Sequence, residues 1–491
     1  VNQNNMAEDK TFQITLQNWD GFAPAYFANS WSYIGNKNQS NNHTDIDVSD
    51  INILTQGGGT TPLTAGTQAG SVSTLISSIL RTSTSTNVGW AVGGAKLYKL
   101  SATNVIATGG YPMTIDKGGV TGEDATDLIY YKSNLYIFYN HSGSIGDIAK
   151  LTIATDTLDP DWGSTFGVGG ASLISSPHYS VLGGNDVMAF TNGNYLGTYD
   201  GTTLNTIALD FFTDAQAVSV SFNNNYYVVA VNRPNVSGSN FNQSAIYNWD
   251  GTSPSWAGDP IEVPGRLGAL YTKNGTTFVW WQDGVGTGTC NFGYVNGTQL
   301  QTLKRYDGSL PNQAQVGEYF GFITWLNGAK LMMYGSGDVD LPVKMFHYLT
   351  SQYATAGAIA SPFGTLLVSS TASTNYSLNK ESGYSVLSSW TTPSFDLSSG
   401  TQSAIIDKIK IITEPLGANA VCVPTLYWDD TTSNSKTLES VATTGKTEHL
   451  CMTTALPVNN FKLNLDWSTS SATNPAKIRK IYISGKMVDK I

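Results

Sequence analysis

The stretch DVMAFTNGNYLGTYDGTTLNTI, residues 186–207, carries the pattern that decides the fold. A short apolar run ends on Asn192-Gly193, an aromatic run ends on Asp200-Gly201, and a polar run follows. Asn-Gly and Asp-Gly between apolar runs signal tight β-hairpins, because both turn positions need positive φ. The same cycle recurs in GWAVGGAKLYKLS (89–101), LIYYKSNLYIFYN (128–140), VSFNNNYYVVAVN (220–232), GALYTKNGTTFVWW (268–281), FGFITWLNGAKLMMYG (320–335) and AIASPFGTLLVSS (358–370). Further turns of this kind stand at Asp250-Gly251, Asn274-Gly275, Asn296-Gly297, Asp307-Gly308 and Asn327-Gly328. The openings, near 90, 129, 187, 221, 268, 321 and 358, are spaced by 34 to 58 residues. That brackets the roughly 40–50 residues of a four-stranded propeller blade.

Composition agrees. Charged residues make up 13% of the 491, about half the ~25% of an average soluble protein. Gly, Ser, Thr and Asn take their place, which suits strands and turns and disfavours exposed helix faces. The expected fold is all-β: a β-propeller of six or seven blades, seven preferred, over 46–388. An extended N-terminal arm (1–45) precedes it and a β-sandwich (389–491) follows. The strand near 46–55 is expected to close the ring. One short helix is expected at 70–81, where Val72, Leu75, Ile76, Ile79 and Leu80 follow a 3.6 period. In the last segment 404–414, 421–428, 461–467 and 477–488 alternate apolar and polar residues.

The net charge of −10 excludes a generic basic surface for nucleic acid. Residues 401–491 carry +2 and the remainder −12, which supports a boundary near 390–400. No apolar stretch is long enough for a membrane helix. The opening VNQNNMAEDK does not read as a signal peptide. Cys290, Cys422 and Cys451 are too few for a disulfide framework; Cys422 and Cys451 read as buried thiols or as one pair.

Two stretches carry a resemblance. One is TDIDVSDINILTQGGGTTPLT (44–64), followed by repeats that end on Tyr-Asp-Gly or Trp-Asp-Gly. The other is SSWTTPSFDLSSGTQSAIIDKIKIIT (388–413), with KIRKIYISG (477–485). Together they resemble the β-propeller virion proteins of tailed bacteriophages, of the tail-nozzle or tail-stabilisation kind. Trp390, Pro393, Phe395, Asp396 and Leu397 match the strand that opens the sandwich there. The resemblance implies a structural virion protein, not an enzyme, that assembles with itself as a ring and with other tail proteins. It would let DNA pass without specific binding and would not insert into membrane.

The alternatives are a glycan-binding adhesin and a sialidase-like glycoside hydrolase. For the first, Trp249, Trp256, Trp280 and Trp281 could stack on sugars, although Trp280 and Trp281 are expected to divide between the two faces of one strand. For the second, one broken Asp-box stands at Asp159, Asp161, Gly163, Thr165 and Phe166. Five arginines, Arg81, Arg233, Arg266, Arg305 and Arg479, show no sign of converging on a substrate carboxylate. A glycosidase needs two carboxyl groups across the scissile bond. The propeller span holds three glutamates, Glu123, Glu262 and Glu318, and its aspartates sit mostly at turns. His43, His141, His178, His347 and His449 are scattered, and Asp45, Asp47, Asp50, Asp338 and Asp340 match no calcium loop. No cofactor is expected.

Overall fold

The computed structural model describes residues 11–16, 48–50, 53–55, 58–62, 72–81, 88–101, 110–143, 145–166, 173–233, 243–283, 289–319, 322–328, 330–334, 355–362, 366–372, 375–384, 387–391, 395–396, 402–429, 431–453, 457–469 and 477–489. Antiparallel sheets follow one another along the chain, and their strands are consecutive in space as in sequence. The first spans 78–114, the second 124–174 and the third 180–210. A run of seven paired strands covers 216–307. It divides inside the long strand Ala257–Lys273 at Gly265, whose φ of 134° turns the corner. Before the corner the strand is the outer edge of the fourth sheet, and after it the inner edge of the fifth. The sixth sheet spans 316–334 and the last 355–384.

The inner strands touch in order: Ser78–Arg81, Asp124–Tyr131, Ser180–Leu182, Gln216–Asn223, the end of Ala257–Lys273, Val316–Tyr319 and Thr355–Ala360. The last touches the first, so the sheets close into a propeller ring. Most of the Asn-Gly and Asp-Gly pairs make hairpins within sheets. Asp307-Gly308 instead leaves the fifth sheet, and Ser309 N–H is capped by Asn327 Oδ1 at 2.8 Å. The turn aspartates have backbone duties. Asp200 accepts from Thr202 N–H, Thr203 N–H and the Thr202 hydroxyl, each at 2.7 Å, and these bonds lower its pKa to about 2.

Two expectations are corrected here. Closure of the ring falls to Gly58–Pro62, which pairs with Asn375–Tyr384 as the outer strand of the last sheet. Strands Val48–Asp50 and Ile53–Thr55 belong to the C-terminal domain, where the second pairs with Lys477–Asp489. No helix forms across the described residues 72–81; Ser78–Arg81 is a strand. Ile76 donates its N–H to the Ser369 hydroxyl (2.9 Å) and accepts from Ala358 N–H (2.9 Å), joining the first sheet to the last. Those long-range bonds satisfy the backbone that a helix would have satisfied locally. The apolar residues still serve the core: Val72 and Ile76 are fully buried between the two sheets.

Buried polar groups link the blades at the centre. Asp127 accepts from the Ser78 hydroxyl (2.8 Å), Ser180 N–H (2.7 Å) and the Ser180 hydroxyl (2.6 Å), tying three sheets. The segment between the fifth and sixth sheets forms a short turn, Gln313–Gln315, that crosses the middle of the ring. Gln313 Oε1 accepts from the Ser219 hydroxyl (2.7 Å) and Val220 N–H (2.8 Å), while Ala314 packs against the core between the first and last sheets.

The C-terminal domain is a β-sandwich. Gln402–Thr413 buries Ala404, Ile406, Ile409 and Ile411; the change of phase follows a bulge between Ile406 and Lys408. The second sheet, built on Ala420–Trp428 and Asn460–Thr469, buries Cys422, Leu426, Phe461, Leu463 and Leu465. Strand Thr11–Leu16, inside the expected extended arm, pairs with Lys477–Asp489 at this domain's edge. Leu387–Thr391 also pairs into it. All three cysteines are free and buried. Phe395 of the matched opening strand stacks on Phe461 at 4.8 Å; Pro393 and Leu397 lie outside the described residues.

Two buried groups set opposing pH dependences. Burial raises the Asp127 carboxyl from 3.8 to about 6, so its contribution favours the fold below 3.8 and is lost as pH rises to about 6. Burial lowers His178 from 6.5 to about 4, so its contribution is present above 6.5 and lost as pH falls to about 4. The two nearly offset each other in that window. In His178→Gln only the Asp127 effect remains, and stability should rise by about 2–3 kcal/mol between pH 7 and 4.5. Urea unfolding at the two pH values tests this; a flat or falling profile in the variant would refute it.

Candidate functional site

Most residues singled out from the sequence have structural duties. Trp280 and Trp281 are buried in different cores on opposite faces of Thr276–Asp283. Trp249 is buried too, and Trp256 is half-buried against Phe211 and Tyr247. None of these offers a free sugar platform. Arg233 pairs with Asp214 (3.3 Å) and lies 4.3 Å from the Phe212 ring. Arg305 faces Asp283 in the fifth sheet, and Arg81, Arg266 and Arg479 lie on other strands. No arginine clamp forms among the described residues, which removes the sialidase-like arrangement. Glu318 holds Tyr271 (3.2 Å) and Lys273 (3.1 Å). His43, His347, Asp45, Asp47, Asp338 and Asp340 lie outside the described residues. Among the described residues no His, Cys, Asp and Glu group is arranged for a metal.

One end of the second sheet is different. Asn134–His141 alternates, so Tyr139 and His141 share a face. Register places Tyr139 between Ala125 and Asp147 of the neighbouring strands, and His141 opposite Ile145. Glu123, two residues before Ala125, ends the loop that arrives from the first sheet. That loop, 116–123, begins with Asp116 accepting from Gly118 N–H at 2.8 Å. It is pinned where Ser142 N–H donates to the Thr121 carbonyl at 2.8 Å. Gly118, Gly119 and Gly122 all take positive φ, which lets so short a loop reverse and present Lys117 and Glu123 together.

Lys117 is the hub. Its ammonium bonds the Asp147 carboxylate and lies 3.0 Å from Asp161 Oδ1. Asp147 is wholly buried, whereas the Asp161 side chain is 43% exposed. Asp147 Oδ1 also accepts Ile148 N–H at 2.7 Å. A side chain at Gly163 would collide with that oxygen, so the chain after Asp161 can close over it only with glycine there. Burial raises the Asp147 pKa against the opposing pull of Lys117. Burial also works against the charge on Lys117, but hydrogen bonds to Asp147 and Asp161 outweigh it and raise its pKa. The Tyr139 hydroxyl donates to the Pro160 carbonyl at 2.6 Å. Its pKa is raised by burial and then by the carboxylates of Asp147, Asp161, Glu123 and Asp159.

Two polar atoms here have no hydrogen-bond partner: His141 Nε2 and Glu123 Oε1, both shielded from solvent. His141 is 7% exposed, and only its Nδ1 is engaged, 2.9 Å from the Ser142 carbonyl oxygen. Such atoms are costly unless something completes them. Sequence reasoning named Glu123, His141, Asp159 and Asp161 without joining them. It missed Lys117 and Asp147. The one signal was the broken Asp-box, whose Asp161 and Gly163 both belong to the site.

No family model and no curated protein matches the sequence. Solved structures of similar fold include an exo-β-1,3-galactanase from Phanerochaete chrysosporium, 8% identical, over 88% of this chain and 100% of that one, TM-score 0.31. A protein described as a glycoside hydrolase is 10% identical over 84% and 98%, TM-score 0.30. Drosophila semaphorin 1a, extracellular domains 1–2, is 9% identical over 63% and 86%, TM-score 0.41. The expectation of a bacteriophage tail component that is not an enzyme is corrected at this point. The solved structures matched include glycoside hydrolases, and the turn aspartates are joined by an acidic cluster that the spacing of the sequence concealed.

Removing Lys117 leaves Asp147 buried without its counter-ion. Lys117→Met should cost about 3–5 kcal/mol, and adding Asp147→Asn should return part of it. Thermal unfolding of the single and double variants measures this; equal stability of wild type and Lys117→Met would show that the pair does not hold.

Proposed function

We propose that this chain acts on glycans as a glycoside hydrolase, working through Glu123 and Asp161 on a propeller ring read as seven blades. The observation that carries the reading is the convergence of Glu123, Asp159, Asp161 and Asp147 around Tyr139 and Lys117, beside an unpartnered His141. Hydrolysis of a glycosidic bond needs one carboxyl group to protonate the leaving oxygen and a second carboxylate to attack or to activate water. Asp147 is buried and engaged, so it supports the site and does not touch substrate. Asp161 reaches solvent while held by Lys117, which suits the ionised partner. Glu123, on the mobile-free end of a pinned loop, takes the part of proton donor. His141 Nε2 is placed to bind a sugar hydroxyl.

The test is release of reducing sugar from a panel of polysaccharides and aryl glycosides. Glu123→Gln and Asp161→Asn should each lower kcat/KM by about 10²–10⁴-fold with unfolding temperature little changed. Asp200→Asn, in a distant turn, should leave activity intact. No turnover of any glycoside, or full activity in both site variants, would overturn the proposal.

A further inference from the structure

The charges around this site select among glycans. We infer that the glycan taken here is neutral, a chain of hexoses or pentoses without carboxylate or sulfate groups. The inference rests on the hydrolase reading and adds the substrate class to it.

Four carboxylates, Asp147, Asp161, Glu123 and Asp159, surround the Tyr139 hydroxyl. Lys117 is shared between two of them. Lys150 stands opposite Asp159 in the strand register, with its ammonium 5.9 Å from the Trp162 ring. Counting both lysines, carboxylates remain in excess. Asp116 and Asp124, beside Lys117 and Glu123 in the chain, add to that excess. An anionic sugar would therefore meet repulsion, strengthened by the low dielectric of a partly buried site.

Recognition of sugar acids normally relies on arginine, whose planar fork binds a carboxylate through two bonds. Among the described residues no arginine lies on the second sheet or on the loop 116–123. The unpartnered atoms point the same way. His141 is more than nine-tenths buried, on the face shared with Tyr139 and Asp147, and its Nε2 is unpaired. Glu123 Oε1 accepts from nothing among the described residues. A sugar hydroxyl both donates and accepts, so hydroxyls can complete both atoms.

The decisive comparison uses matched substrates: an aryl hexoside and the aryl hexuronide that differs only by oxidation at C6. The hexoside should show kcat/KM at least about 50-fold higher in low salt, with the gap narrowing as ionic strength rises. Binding to Glu123→Gln supplies the second reading, using a neutral oligosaccharide and its uronic-acid counterpart in calorimetry. Preference for the neutral ligand in both assays supports the inference. Equal or better turnover of the hexuronide overturns it and leaves the hydrolase reading standing. Binding of the neutral ligand without turnover of either glycoside overturns the hydrolase reading and preserves the ligand class. Absence of both binding and turnover overturns both.

Discussion

The ring depends on a carboxylate that never meets water. Asp127 sits on an inner strand and gathers three hydrogen bonds from the sheets on either side. Each blade alone buries only part of its faces, so the ring is stable only when neighbours stay in contact. Apolar packing supplies most of that contact but does little to set the register between blades. A buried acceptor with fixed donors sets it, because a slip leaves polar groups unsatisfied at about 1–3 kcal/mol each. Gln313 does the same across the centre, holding Ser219 and Val220 from a turn that belongs to neither of their neighbours. Closure by Gly58–Pro62 completes the arrangement by pairing an early strand with a late sheet.

The hairpins were legible because their signal is local. Asn192-Gly193 and Asp200-Gly201 name their turns through the positive φ of the glycines, 61° and 99°. The strand at 78–81 was not legible, because what prevents a helix there lies nearly three hundred residues away, at Ser369. The same limit hid the partners of the N-terminal strands. Nothing near Thr11–Leu16 indicates that it will pair with 481–486. The bulge at Ile406–Lys408 shows a milder case: alternation is visible on both sides, while the phase change appears only in the register.

The acidic cluster was hidden for a similar reason. Lys117, Glu123, Asp147 and Asp161 are separated by a strand or a loop at each step, and no spacing rule connects them. They meet because the antiparallel ladder sets Tyr139 opposite Asp147, and because the loop from the first sheet lands on the same end. The broken Asp-box was read as a folding element without catalytic meaning. Its Gly163 does act in folding, since only glycine lets the chain pass Asp147 Oδ1. That passage also carries Asp161 to Lys117, so one turn serves both packing and the site.

Buried Asp147 explains why the cluster is stable at all. Several carboxylates in one place repel one another, and a lysine at the rim would be screened by water. Here the lysine side chain is only 14% exposed and is anchored from beneath by a carboxylate with no exposure. The buried half of the pair holds the ammonium where the exposed carboxylate can use it. Asp161 can then stay near Glu123 and still face solvent. The ion pair is therefore a positioning device: its stabilising value is spent on keeping like charges together at one end of a blade.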